Sequence, residues 1–239
     1  MKVVVINFGG NLGKTTLSAY FLYPRLGGPK MIAVESINET AKEKGLEVDL
    51  IRGDRFKEIY RELVVNESVI VDVGASNVEG FLEGLSSFEN GHDEVDLFLI
   101  PVTSGKKEQA ESIKTALVLS LMGVKKERIS LVFNRVERSV DEEFPETLRQ
   151  CAIHNKFVAN PKCRVFENDI YVDLGSLGLS VDEACDLNDH SLDQLKADLI
   201  SGLGDPDQFL LADKRLSVAK RANKTRDQLD AAFQALVGH

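Results

Sequence analysis

Residues 1–18 read MKVVVINFGGNLGKTTLS, and the order of residue types in that stretch decides how the rest of the chain is read. Val3, Val4, Val5 and Ile6 form an unbroken β-branched run, the pattern of a strand buried on both faces of a parallel sheet. The run ends in Asn7-Phe8-Gly9-Gly10-Asn11, and Gly13-Lys14-Thr15-Thr16 then opens a helical pattern. A strand, a Gly-rich turn and a helix start in that order aim backbone N–H groups at an anion. Gly10, Asn11, Leu12, Gly13, Lys14, Thr15 and Thr16 are therefore the candidate phosphate-binding loop. The Lys14 ammonium suits the outer phosphates, and the Thr15 hydroxyl suits the Mg²⁺ that accompanies them. The plainer alternative is a strand-to-helix turn that happens to contain Gly and Lys. Segment order, residue types and spacing agree on phosphate.

The strict form of the motif places Gly five residues before Gly13, where this chain has Phe8. Residues Gly9 to Thr15 instead resemble the deviant loop of the ParA/MinD family of ATPases, K-G-G-x-G-K-[ST]. Two positions depart. One loop glycine falls on Asn11, a residue type that tolerates positive φ. The family's signature lysine falls on Gly9, which cannot reach across a dimer to a second subunit's phosphates as that lysine does.

Further strands are predicted at Met31 to Val34, Ser68 to Val73, Val95 to Val102 and Arg128 to Val136, with a sixth at Arg164 to Phe166. Helical patterns lie between them, at Thr15 to Tyr23, Arg55 to Leu63, Asn77 to Leu85 and Lys106 to Met122. This alternation predicts an α/β fold with a doubly wound, mostly parallel sheet. Its ligands sit at the C-terminal strand ends, where Glu35 to Asn38, Asp72 to Ser76, Thr103-Ser104 and Asn134-Arg135 fall. Beyond residue 136 the pattern is less regular: helices are expected at Asp141 to Asn155 and Ser191 to Leu203, and a long polar helix or helix pair over Asp213 to Val237. The expectation is one domain over 1–239, with 190–239 as its C-terminal helical extension.

Asp72 closes an apolar strand, where its carboxylate can hold Mg²⁺ or serve only as a turn former or cap. In the family an Asp at that strand end holds metal, so the resemblance implies Thr15 and Asp72 as metal ligands. It likewise implies base recognition at Asn134 and Arg135, since the family meets adenine at the end of this strand and an amide can pair with it. An ordinary turn at Asn134 is the alternative. The family's D-x-D-P on the second strand becomes V-E-S-I-N here, so Glu35 matches the first acid while Ile37 replaces the second. Lys14, Glu35 and Asp72 are then the candidate catalytic residues, Glu35 either orienting water or standing as a plain surface acid. Thr103 and Ser104 read as helix caps.

The net charge of −9 argues against a chain that coats nucleic acid as a whole. Lys214, Arg215, Lys220, Arg221, Lys224 and Arg226 form a local basic run, either a DNA-phosphate surface or a solvated helix face. Cys151, Cys163 and Cys185 are odd in number and widely spaced, which indicates neither a disulfide framework nor a zinc site. No apolar run approaches a membrane span, and the first apolar run is too short for a secretory signal, so a cytoplasmic protein is expected.

Within the family, INFGGNLGKTT, Pro24-Arg25 and AVESIN at 33–38 are similar to the StbB-type plasmid stability proteins. That resemblance implies ATP/ADP and Mg²⁺ as ligands, a small DNA-binding plasmid protein as partner, a nucleotide-dependent homodimer, and a role in plasmid stability, partition or positioning linked to conjugation. Gly9 and Ile37 favour a second reading, a nucleotide-gated adaptor with little or no hydrolysis. A third, a dethiobiotin-synthetase-like ligase, would need a polar small-molecule pocket near Lys106 and Lys107, and no residue set for one is visible.

Overall fold

The computed structural model describes residues 1–35, 48–52 and 55–238. Strand β1 (Lys2–Val5) leads through the Gly-rich loop into helix α1 over residues 14–25. There follow β2 (Lys30–Val34), β3 (Val48–Ile51), α2 (Phe56–Val65), β4 (Val69–Val73), α3 (Val78–Ser87), β5 (Leu97–Val102), α4 (Lys106–Leu121) and β6 (Ile129–Val136). The chain continues through α5 (Val140–Glu143), α6 (Pro145–His154), β7 (Arg164–Phe166), α7 (Ile170–Leu177), α8 (Val181–His190), α9 (Leu192–Ser201) and α10 (Pro206–Val237). The seven strands form one sheet, order β3-β2-β4-β1-β5-β6-β7, and every strand pair is parallel.

The alternation along β1 explains the layers. Val4 and Ile6 face a core shared with α2, α3 and α4, whereas Val3 and Val5 face a core shared with α1, α7, α8 and α10. Both faces are covered, which is why the central strands read as continuous apolar runs. From β1 the chain builds outward on one side through β4, β2 and β3 and on the other through β5, β6 and β7. The C-terminal end of β1 is thus the point where strand order reverses, and the loop sits there.

The structure differs from the sequence expectations in four places. Strand β3 lies in a stretch taken as polar connection; it is an edge strand with Asp49 and Leu50 exposed, so no apolar run marks it. Helix α1 does not close at Pro24 but passes through it. Its middle widens, with Tyr23 N donating to Ser18 O, and Pro24 then opens the final turn, where its missing N–H is harmless. Helices α7 and α8 lie in the stretch read as irregular, and α8 is started by a capping box between Ser180 and Glu183. Of the long helix or helix pair expected over Asp213 to Val237 the single helix forms, α10, but it is 32 residues long and starts earlier, at Pro206. Val218, Ala222, Leu229, Ala232 and Leu236 enter the second core, so a mostly polar helix packs through small residues against α8 and α9 and reaches the sheet at β7.

Candidate phosphate-binding site

Gly13 ends the loop at φ +80°, and Leu17 N donating to Gly13 O (2.9 Å) is the first bond of α1. The helix therefore opens its N-terminus into the loop, as an anion site requires. Asn11 takes φ +58°, a left-handed conformation that asparagine tolerates better than most side chains. Lys14 is buried, and its ammonium donates to Gly9 O (2.8 Å) and Asn7 O (3.4 Å) across the loop. Burial lowers its pKa; the negative charges of Asp72, Glu35 and Glu111 oppose that shift. An ammonium held by two carbonyls, with the charges of Asp72, Glu35 and Glu111 acting on it from around the loop, is one that a phosphate can recruit.

Asp72 is buried on β4, opposite Val5 of β1. Glu35 follows β2 half-buried, beside Gly74, where an added Cβ would meet Glu35 Cγ at 3.4 Å. Both acids are close enough to Lys14 to act on its charge, so the loop, Glu35 and Asp72 share one site. Ser36, Ile37 and Asn38 lie outside the described residues. Among the described residues no cluster of three or more His, Cys, Asp or Glu can hold a metal. One carboxylate and one hydroxyl, Asp72 and Thr15, fit Mg²⁺, which keeps waters and phosphate oxygens as its other ligands.

Asn134 is buried at the end of β6, and its Nδ2 donates to Leu12 O (2.8 Å). A Cβ at Gly13 would stand 2.5 Å from that nitrogen, so glycine is needed there for close approach as well as for φ. Asn134 thus ties the strand end to the loop. Arg135 follows in a left-handed conformation (φ +57°) at a shift in the β6–β7 register, exposed and 3.8 Å from Glu167. The expected caps at Thr103 and Ser104 are absent. Gly105 is the N-cap of α4 without a side-chain bond, and Ser104 O instead accepts from Gln109 Nε2 at 2.8 Å.

Several residues of the site were not anticipated. Fully buried Asn7 accepts from Gly9 N (2.7 Å) and donates to Pro101 O (2.8 Å) and Ser112 Oγ (2.7 Å). Phe8 N donates to Thr115 Oγ1 (3.3 Å). These bonds staple the loop to α4, whose Ser112 and Thr115 are both wholly buried. A polar residue closing an apolar strand, and Ser/Thr three apart on a buried helix face, were the available signals. Of the basic run, Arg221 is paired with Asp169 and with Asp173 (3.1 Å), whereas exposed Lys220 and Lys224 line a cavity of about 440 Å³ with Glu167 and Asn168.

No family model and no curated protein matches the sequence. Solved structures do. A MinC:MinD cell division complex from Aquifex aeolicus aligns at TM-score 0.54 and 14% identity, over 94% of this chain and 96% of that one. Apo McdA from Cyanothece aligns at 0.54 and 14%, over 93% and 98%, and a McdA variant in complex with ATP at 0.51 and 15%, over 94% and 96%. A ParA family ATPase from Chlorobium tepidum aligns at 0.51 and 13%, over 92% and 98%. The fold of this chain is therefore that of the MinD/ParA-type P-loop proteins, a seven-stranded all-parallel sheet between helices. Among the described residues no helix is long and apolar enough to cross a membrane.

Proposed function

We propose that the chain is an ATP-binding switch protein of the ParA/MinD type. The observation that carries this reading is Lys14, buried at the start of α1 with its ammonium turned across the loop onto Gly9 O and Asn7 O. A buried ammonium without a fixed carboxylate bond is expensive unless an anion completes its shell. Gly10 to Thr16 would hold the phosphates, Thr15 and Asp72 the Mg²⁺, and Asn134 and Arg135 would meet the base. When bound, Mg²⁺ offsets phosphate charge among Asp72, Glu35 and Glu111. Lys14 then moves from carbonyl to phosphate oxygen, and the Asn7–Ser112 and Phe8–Thr115 bonds pass any loop shift to α4.

Its role is positioning or partition, with plasmid stability as the specific setting, a small DNA-binding protein as partner and a nucleotide-dependent homodimer as the active form. The McdA variant solved with ATP supports the ligand class. Direct DNA contact would fall to exposed Lys220 and Lys224. Glycine at position 9 favours the adaptor alternative, in which ATP is bound and hydrolysed slowly or not at all, with Glu35 left as the water-orienting candidate. The ligase alternative is disfavoured, because the groove beside Lys106 exposes mainly apolar surface, with Ile113, Leu117, Val118 and Leu121 among its lining, even though Gln109, Lys114, Glu146, Gln150 and His154 also reach it.

Titration calorimetry with Mg-ATP tests the reading: wild type binds, and Lys14→Ala loses at least about a hundredfold in affinity, in line with removing a charge-assisted contact. Equal affinity in both proteins refutes it. Phosphate release with and without DNA then separates switch ATPase from adaptor.

A further inference from the structure

Position 9 is not merely vacant. A Cβ on Gly9 would stand 2.6 Å from Glu111 Oε2, 2.8 Å from Leu12 Cδ1 and 3.3 Å from Asn7 Oδ1. The carboxylate of Glu111 fills the space into which a side chain at Gly9 would grow. Its helix cannot readily carry it away. Ser112 and Thr115, one and four residues further along α4, hold Asn7 and Phe8 of the same loop. The cation beside it, Lys107, is 3.7 Å away and 80% exposed, so water screens most of its charge. Glu111 also acts on the charge of Lys14 within the loop.

We propose that Glu111 is a specificity-determining residue of the phosphate loop, an anion built against Gly9 that weakens binding of a nucleoside triphosphate more than of a diphosphate. This rests on the ATP reading above. The physics is Coulombic: a carboxylate beside the loop opposes every phosphate charge that enters, and a triphosphate brings more of them. It also competes for Lys14, whose ammonium must leave Gly9 O to meet phosphate. Glycine at 9 makes room for the carboxylate, and a longer residue at 9 would have to displace both the Glu111 carboxylate and Leu12 Cδ1.

Calorimetric titration of wild type, Glu111→Gln and Glu111→Ala with Mg-ATP and with Mg-ADP tests the proposal, with thermal melts verifying that each variant is folded. Both variants are expected to bind Mg-ATP about tenfold tighter than wild type and Mg-ADP by a clearly smaller factor. The advantage should shrink at high salt, as an electrostatic effect must. Unchanged or weaker Mg-ATP binding by the folded variants overturns the proposal, and so does an equal gain for both nucleotides. If wild type and both variants bind neither nucleotide, the ATP reading itself falls.

Discussion

Asn7→Ala is the most informative single change outside the charged groups of the site. Asn7 has no solvent exposure and makes three hydrogen bonds of 2.7–2.8 Å, to Gly9 N, Pro101 O and Ser112 Oγ. Alanine removes all three. Each is worth about 1 kcal/mol net, and the orphaned Gly9 N–H adds about 1–2 kcal/mol of uncompensated desolvation. Ser112 Oγ still has Glu108 O (2.8 Å) and Pro101 O (3.1 Å) as acceptors for its single proton, so the hydroxyl is not orphaned. The sum is about 4 kcal/mol, which for a domain of this size lowers the melting temperature by roughly 8–16 °C. Differential scanning calorimetry of the two proteins measures it. A second consequence is local: Gly9 O holds the Lys14 ammonium, so a loop released at Gly9 should also bind Mg-ATP more weakly. A variant melting within about 3 °C of wild type would refute the reasoning, because the Gly9 amide would then have found another partner.

Gly13→Ala should cost about 2 kcal/mol, from the left-handed backbone and the displaced Asn134 amide, and should weaken nucleotide binding; denaturant melts and calorimetry read the two effects. Arg25→Ala removes bonds to Tyr20 O and Phe21 O within α1, together with the bond to Arg226 O and the 2.7 Å pair with Asp230 that tie α1 to α10. Faster hydrogen exchange confined to α10 and α1 is the expected result, and unchanged protection there refutes it. Burial pushes the Cys163 thiol up to about 12, so iodoacetamide at neutral pH should spare it in the native protein and modify half-buried Cys151 first; mass spectrometry of digests decides.

Residues 1–18 determined most of the fold because their signals are local. A β-branched run reports a strand buried on both faces, and a Gly-rich turn before Lys-Thr reports a helix N-terminus with room for an anion. Asp72 and Asn134 were legible for a similar reason: each closes an apolar run, and parallel strands bring their C-terminal ends to one edge. Strand β3 was not legible, because an edge strand with exposed Asp49 and Leu50 shows no apolar run.

The sequence by itself determined the parallel sheet, the strand-turn-helix order of residues 1–18 and the placing of Lys14 and Asp72 at the C-terminal strand ends. Only the tertiary structure decided what surrounds them. Asn7 finds Ser112, Gly9 finds Glu111 and Arg25 finds Asp230, partners far apart along the chain. No periodicity of 2 or 3.6 residues carries such pairings, since they depend on which helix packs over which strand end. The same holds for α10, whose small buried residues acquire meaning only against the helices and the β7 edge they pack on. Local patterning makes the elements; packing chooses the neighbours that turn a glycine at position 9 from a missing lysine into the seat of a carboxylate.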